Sequence, residues 1–337
     1  MKCLTFAVPC YNSQDYLDRC VSTLLAGGED VEIILVNDGS SDDTARIIDE
    51  YELAYPSMIR AIHQLNKGHG GAVNTGLAHA KGTYFKVVDS DDWVDTKALG
   101  ELIACCKQET ASGRPTDLII GNYVYDHLHE GKQRPVHYRN VFPRNKVFGW
   151  NDIKSFAPSQ YMVMHSLMFN TKTLRESGIE LPQHMFYVDN IFACKPLGSV
   201  NTMRYLDINL YHYFIGREDQ SVNENVMCER IDQQIAVTKL VAECIDEESS
   251  NEKLKSYLIR NTSIMMAISS IHLLLIGTEE AKQKRDDLWH YIEGLNPTLY
   301  KKLRYQTLSG FTYLPGKAGD LATVAGYKAA KKIYKFQ

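Results

Sequence analysis

Three carboxylates, Asp89, Asp91 and Asp92, follow directly on the apolar pair Val87-Val88, with Ser90 among them and Trp93 behind. Like charges this close repel one another, so the arrangement costs stability unless a cation neutralises it. A hard divalent metal held by one or two carboxylates, its shell completed by substrate phosphates and water, is the usual solution. The end of this run is therefore expected to bind a metal and a nucleotide diphosphate.

Something must hold those acids at the tip of a strand, and the first hundred residues supply it. Leu4 to Val8 is a short apolar strand; Leu17, Cys20, Val21, Leu24 and Leu25 then recur at helical spacing behind Asn12, which is expected to cap that helix with Asp15 three residues on. Val31 to Val36 is a second, continuously apolar strand, as expected where helices cover both sheet faces. Asp38 to Asp43 reads as a turn and helix start, Met58 to His63 as a third strand, Gly70 to Ala80 as another helix, and Thr83 to Val88 as a fourth strand. Such alternation predicts a parallel, doubly wound sheet, whose ligands lie beyond the carboxyl ends of the strands. Pro9 and Tyr11, Asp38, the run from Asn66 to Gly71, and Asp89 to Asp92 all fall at such ends. Their convergence on one cleft is stronger than any single motif.

Composition narrows the function classes. A 23% charged and 44% apolar content describes a folded chain, and a net charge of -4 gives no reason to expect nucleic-acid binding. Eight cysteines form no CxxC pair and lie mostly in apolar segments, which suggests reduced, buried thiols and a cytosolic setting. The N-terminus lacks the pattern of a signal peptide, so export is not expected. Ile264 to Ile276, interrupted by Ser269, Ser270 and His272, is expected to be a buried helix rather than a membrane span. Glycines 68, 70 and 71 do not spell GxGxxG, so no nicotinamide cofactor is implied. They are expected to let backbone approach a ligand closely.

Four ordered blocks carry a resemblance: Val-Pro-Cys-Tyr-Asn at 8–12, Val-Asn-Asp-Gly-Ser-Ser-Asp at 36–42, Asn-Lys-Gly-His-Gly-Gly-Ala-Val-Asn-Thr-Gly-Leu at 66–77, and Asp-Ser-Asp-Asp at 89–92. Together they resemble the family 2 glycosyltransferases. The resemblance implies an α/β GT-A fold, a nucleotide-binding domain with a doubly wound, mainly parallel sheet. That domain is expected over 1–222, with a nucleotide-binding half at 1–95 and an acceptor-binding half at 96–222. It implies that Asp38 accepts a hydrogen bond from the nucleotide base, with Pro9 and Tyr11 lining the pocket and Asn66 closing over it. Gly70, Asn74 and Ser90 belong to the same donor site. Asp89 would meet the ribose or the metal, and Asp91 would ligate Mg2+ or Mn2+ bridging the diphosphate.

The acceptor hydroxyl needs a base. Relatives often carry a Glu-Asp pair before a helix; this chain reads Tyr187-Val188-Asp189-Asn190, and Asp189 is the expected base. Val73 stands where many relatives have arginine, so the diphosphate charge falls to Lys67, His69 or Arg217. A third metal ligand is expected from Asp219 or His212.

Asp117 to Tyr125 reads as another strand and Glu130 to Pro143 as a hairpin or loop. Residues 223–337 read as a helical C-terminal region, with helices over 228–245, 254–276 and 279–295. From Leu299 onward eight lysines and arginines stand against Asp320 alone, interleaved with aromatic and aliphatic residues. A segment of this kind can rest on an anionic membrane.

The expected activity is inverting transfer of a hexosyl or N-acetylhexosaminyl unit, UDP-linked, to a hydroxyl of a cell-envelope polysaccharide, teichoic acid or glycolipid. The expected partners are the nucleotide-sugar donor and a glycan, teichoic acid or lipid-linked acceptor. The setting is cytoplasmic with peripheral contact at the inner face of the plasma membrane, and homo-oligomerisation stays open. Two alternatives stand beside it: a metal-dependent nucleotidyltransferase, and a non-catalytic sugar-nucleotide or polymer-binding protein.

Overall fold

The structure is a computed structural model that describes residues 2–127, 131–157, 160–216, 223–246 and 251–334. The chain divides into two compact units, Met1–Gly216 and Arg217–Gln337.

The first unit is built on one sheet. In chain order its elements are β1 (Leu4–Cys10), α1 (Leu17–Leu25), β2 (Val31–Asp38), α2 (Thr44–Ala54), β3 (Ile59–Gln64), α3 (Gly68–His79), β4 (Tyr84–Val87), β5 (Trp93–Val94), α4 (Thr96–Ala111), β6 (Leu118–His127), β7 (Lys132–Val136), β8 (Val147–Phe148), β9 (Leu167–Asn170), α5 (Thr171–Glu176), α6 (Asp189–Cys194) and β10 (Met203–Phe214). The strands run in the order β3-β2-β1-β4-β9-β6-β10-β5, with β7 on β6 and β8 on β10. The first four pair in parallel, as do β6 and β10, whereas β9 lies antiparallel between β4 and β6. This is an α/β sheet with helices on its parallel half, as the alternation of segments requires.

β1 and β2 are buried along their whole lengths because neighbours pair on both edges and helices cover the faces. One charge is buried with them. Glu32 in β2 accepts hydrogen bonds from the Thr5 hydroxyl at 2.7 Å and the Lys81 backbone N–H at 2.8 Å, so its carboxylate is satisfied where the strand crosses the core. The eight cysteines are free thiols, five of them buried. Of the stretch 130–143, expected as a hairpin or loop, Lys132–Val136 forms β7, antiparallel to β6.

Two local expectations are corrected. Asn12 does not cap α1, which starts at Leu17; Asn12 instead adopts φ +49° and accepts the Ser41 N–H at 2.9 Å, tying the loop after β1 to the loop after β2. The helix expected over 228–245 breaks at Arg230 into two.

The second unit is helical: α7 (Glu224–Glu229), α8 (Ile231–Glu243), α9 (Glu252–Ile276), α10 (Glu279–Leu295), α11 (Pro297–Gln306) and α12 (Gly316–Tyr334). Its core gathers Met266, Leu288, Trp289, Ile292, Leu299 and Leu303. α9 starts at Asn251, whose side chain accepts the Leu254 N–H, and ends at Gly277 in the left-handed conformation. By length and composition α9 could cross a bilayer, yet 56% of its apolar window is buried within the protein, the pattern of a core helix.

Candidate active site

The loop after β3 is the hub of the site. Lys67 donates its backbone N–H to Asp38 Oδ1 at 2.8 Å, and the Asn66 amide donates to the Asp38 backbone carbonyl at 2.9 Å. Two residues on, His69 Nε2 meets Asp89 Oδ1 at 2.8 Å. The Lys67 carbonyl in turn accepts the His184 N–H at 2.8 Å, which fixes the strap leading to Asp189. Four residues in sequence thus touch the ends of β2 and β4 and the approach to α6. That is how acids 150 residues apart come to share one cleft.

Asp38 is buried and aimed by its neighbours. Gln64 also donates to its Oδ1, at 2.7 Å, and is itself held by the Thr75 hydroxyl at 2.6 Å. Pro9 is buried in β1 opposite Val36, while Tyr11 presents 57% of its surface at the mouth. The Ser90 hydroxyl shares a hydrogen bond with that of Ser13 at 2.7 Å, which links the loop after β4 to the loop after β1.

The three acids after β4 separate into distinct roles. Asp92 is fully buried and structural: Tyr211 donates its hydroxyl to Oδ2 at 2.5 Å, and the Phe214 N–H reaches Oδ1 at 2.8 Å. Burial, and then the charges of Asp91 and Asp89, push its pKa well above the usual carboxylate range. Asp89 goes the other way. Burial alone would raise it, but the imidazole of His69, with His165 and Lys86, holds it below the ordinary value. His69 responds in kind: burial works against its charge, yet Asp89, Asp189 and Asp91 raise its pKa. Asp91 is half-buried, and its backbone carbonyl accepts from Arg19 at 3.0 Å while that guanidinium lies 3.9 Å over the Trp93 ring.

Sequence reasoning missed what lies beneath Asp89. Lys86 is wholly buried in β4; its ammonium donates to the His165 carbonyl at 2.5 Å and sits 4.9 Å over the Tyr211 ring. Burial lowers its pKa to about 7 against the opposing pull of Asp89 and Asp92. A lysine inside the run Tyr84-Phe85-Lys86-Val87-Val88 was the available signal, since such a charge is rarely buried without a role. His165, stacked 4.5 Å from Tyr211, left none: its Nδ1 is buried without a hydrogen-bond partner and lies 4.0 Å from Asp89 Oδ2.

These groups fit a divalent cation. Ligand atoms of Asp89, Asp92 and His165 lie within 4.8 Å of one another. Both Asp92 oxygens already accept hydrogen bonds, which leaves Asp89 and the orphaned His165 nitrogen as the better donors of that trio, with Asp91 beside them. His212 is engaged elsewhere, its Nδ1 3.1 Å from Asp126 Oδ2 and its ring stacked on Trp93. Arg217 and Asp219 lie outside the described residues.

Asp189 opens α6 and is half-buried. Burial raises its pKa, His69 lowers it and Asp89 raises it again, for a net rise. The strap before it explains the third sequence block differently from the expectation. Asn74, expected at the donor, uses its side chain on the strap: it donates to the Leu181 carbonyl at 2.8 Å and accepts the Leu181 N–H at 3.0 Å. A Cβ at Gly68 would stand 2.9 Å from the His184 nitrogen, and one at Gly70 would strike the Pro182 carbonyl. These glycines admit protein backbone. His184 and Tyr187 hold positive φ, +52° and +65°, uncommon for residues with side chains, so the strap is locally strained where it delivers Asp189.

Residues 5–169 match the family described as "Glycosyl transferase family 2". The chain belongs to this family. Among curated relatives it is 26% identical over 280 residues to the "Putative glycosyltransferase EpsH" of Bacillus subtilis (strain 168), spanning 78% of this chain and 76% of that protein. It is 35% identical over 227 residues to the "Poly(ribitol-phosphate) beta-glucosyltransferase" of Bacillus spizizenii, 65% of this chain but only 33% of that longer relative. Among solved structures, residues 1–349 of S. aureus TarS in complex with UDP-GlcNAc superpose with a TM-score of 0.67 at 18% identity, covering 98% of this chain and 92% of that one. That likeness establishes the GT-A fold. The glycosyltransferase family and fold stand as the sequence blocks implied.

Proposed function

We propose that this glycosyltransferase moves a hexosyl or N-acetylhexosaminyl unit from a UDP-sugar to a hydroxyl of a cell-envelope polymer, with inversion and with Mg2+ or Mn2+ at Asp89 and Asp91. The observation that carries the reading is the 66–69 loop, which ties Asp38, Asp89 and the strap of Asp189 into one cleft. The acceptor oxygen attacks the anomeric carbon as its proton passes to Asp189; the bond to the diphosphate breaks, and its electron pair leaves with the diphosphate oxygen. Bound at Asp89 and Asp91, the cation supplies charge stabilisation for that departing group. The UDP-GlcNAc complex of TarS and the poly(ribitol-phosphate) relative support this donor and acceptor class.

Asp38 makes a specific test available. Uracil has an N3–H that an aspartate can accept, and cytosine has none. In the presence of Mn2+, calorimetry is expected to show UDP binding at least about tenfold tighter than CDP, a contrast the Asp38→Ala variant erases. Equal affinity for both nucleotides defeats the assignment of Asp38. Nucleoside diphosphate release with acceptor separates a transferase from a binding protein.

The same reading places the chain in the cytoplasm with its basic segment at the inner membrane face. Lys331 is engaged by Glu224 at 2.9 Å, whereas Lys317 and Lys328 on α12 are exposed. Sedimentation with phosphatidylglycerol vesicles is expected to carry the protein down at low salt and release it at high salt; no binding to them removes the membrane contact.

A further inference from the structure

Between Gly131 and Asn151 the chain carries five lysines and arginines and no acid, although the protein as a whole has a net charge of -4. That segment holds β7, β8 and the loop between them. It is firmly seated: Tyr138, Val141, Phe142, Phe148 and Trp150 are buried, the Tyr138 hydroxyl donates to the Tyr161 carbonyl at 2.9 Å, and Trp150 Nε1 donates to the Val200 carbonyl at 2.8 Å. With these side chains inside, Lys132, Arg134, Arg139, Arg144 and Lys146 are left exposed on a fixed support. Charges presented this way bind a ligand with little cost in chain ordering.

Two of these cations lack partners and two share one. The side chains of Arg134 and Lys146 make no hydrogen bond or ion pair among the described residues, whereas other exposed cations such as Arg46 and Lys107 meet acids of their own. Arg139 Nε and Arg144 Nη1 both reach Asp207 Oδ2, at 2.6 Å and 3.5 Å. One carboxylate cannot neutralise two guanidiniums, and a second anion between them would. Arg139 spends its Nε on Asp207 and keeps both Nη amines for a ligand, and the two arginine side chains leave 54% and 59% of their surface open. A carboxylate sets its two oxygens in one plane for a single fork; a tetrahedral phosphate spreads its oxygens and serves two.

Both basic sites are built on one stretch of β6, and that stretch leads to the cleft. Arg134 stands opposite Tyr125 in the ladder, so their side chains share a sheet face. Tyr125 packs on Tyr213 with ring centroids 5.9 Å apart, Tyr213 packs on His165 at 4.8 Å, and His165 Nδ1 lies 4.0 Å from Asp89 Oδ2. Asp207, the acid shared by the arginine pair, is held by the Asn122 amide at 3.0 Å, beside Tyr123, whose hydroxyl donates to that of Tyr125 at 3.4 Å. We propose that Arg134, Arg139 and Arg144 hold the acceptor chain behind its reacting unit, and that this chain is a phosphodiester-linked polyanion. The proposal rests on the transferase reading above and names the acceptor class within it. The arginines grip phosphates of repeats that do not react, so they govern acceptor affinity and take no part in donor cleavage.

The test uses the full-length protein and fluorescent glycerol-phosphate oligomers, whose binding by anisotropy needs neither donor nor turnover. Wild-type affinity is expected to rise with oligomer length, to fall with salt, and to exceed that for neutral glucans or for oligogalacturonate of equal charge by about tenfold or more. Arg134→Gln, and the double variant Arg139→Gln/Arg144→Gln, are each expected to weaken oligomer binding about tenfold while UDP affinity stays at the wild-type value. Arg139→Lys keeps the charge without the fork and should fall between. Arg134 has no side-chain partner to lose, and in the double variant Asp207 keeps the Asn122 amide and the Tyr205 hydroxyl, so the fold is expected to survive, as circular dichroism will show. Unchanged oligomer affinity in both variants overturns the proposal, as does equal binding of neutral glucan or oligogalacturonate. So does a loss of sedimentation with phosphatidylglycerol vesicles while oligomer binding persists, which would make the strip a lipid site. A wild type that binds the oligomer but neither binds UDP nor releases it from a UDP-sugar would instead defeat the transferase reading, so the two failures are distinguishable.

Discussion

Asp189→Asn is expected to lower kcat about a thousandfold while UDP affinity and melting temperature stay at wild-type values. The amide has the shape of the carboxyl and no capacity to take a proton, so it removes the base and little else. Asp189 begins a six-residue helix, and its neighbour Asn190 holds the turn through Tyr187, which keeps the local backbone intact in the variant. The pH profile gives a second reading. Burial, then Asp89 against the counter-pull of His69, raises the Asp189 pKa, and a base works only when deprotonated. The acid limb of kcat/KM is therefore expected at a higher pH than an ordinary aspartate would give, with activity rising as pH climbs through it. In Asp189→Asn that limb should vanish. A variant that keeps more than about a tenth of wild-type turnover, or the same acid limb, shows that another group takes the proton.

How far the sequence could carry this reading differs by residue, for physical reasons. That Asp38 and Asp89 to Asp92 would lie together at strand ends was legible because each follows a buried apolar strand, and a parallel sheet with covered faces brings such strand ends to one edge. Asp189 was singled out only through the resemblance, since six helical residues after an irregular strap carry little periodicity. Asn74 was expected at the donor, and its amide meets the Leu181 backbone: a side-chain amide can bind ligand or backbone equally well, and the return of Leu181 to α3 is not written in any local pattern. At Gly68 and Gly70 the close approach that the structure shows is by backbone over a hundred residues downstream, which no local pattern announces. His165 was invisible. Its meaning depends on Lys86 and Asp89, in and after β4, meeting Tyr211 of β10, and no local pattern encodes that. Asn12 failed for the opposite reason: Asn followed by Asp15 is a fair capping signal, but two hydrogen bonds to Ser40 and Ser41 offered the loop a better use.

Within the acidic turn the proposed reading assigns metal binding to Asp91 and folding to Asp92, and a pair of substitutions should separate the two in solution. Asp91 is proposed to hold the cation with Asp89, so Asp91→Asn is expected to cut kcat/KM by about a hundredfold or more and to weaken Mn2+ binding. Its half-buried position makes the melting temperature insensitive, within about 1–2 °C. Asp92 makes the reverse demand. Its two oxygens satisfy the Tyr211 hydroxyl and the Phe214 N–H, and through them hold the end of β10 against the loop after β4. Asp92→Ala strands both donors in the core, a loss of about 3–5 kcal/mol at about 1–3 kcal/mol per orphaned group with the cavity added. For a unit of this size that lowers the melting temperature by roughly 10 °C. Asp92→Asn keeps an acceptor for Phe214 and a polar partner for Tyr211. Since burial already favours the uncharged form of Asp92, the amide should cost under about 1.5 kcal/mol. Should Asp92→Asn instead abolish metal binding with the fold intact, Asp92 would be the ligand, and the Tyr211 bond a resting contact that the cation displaces.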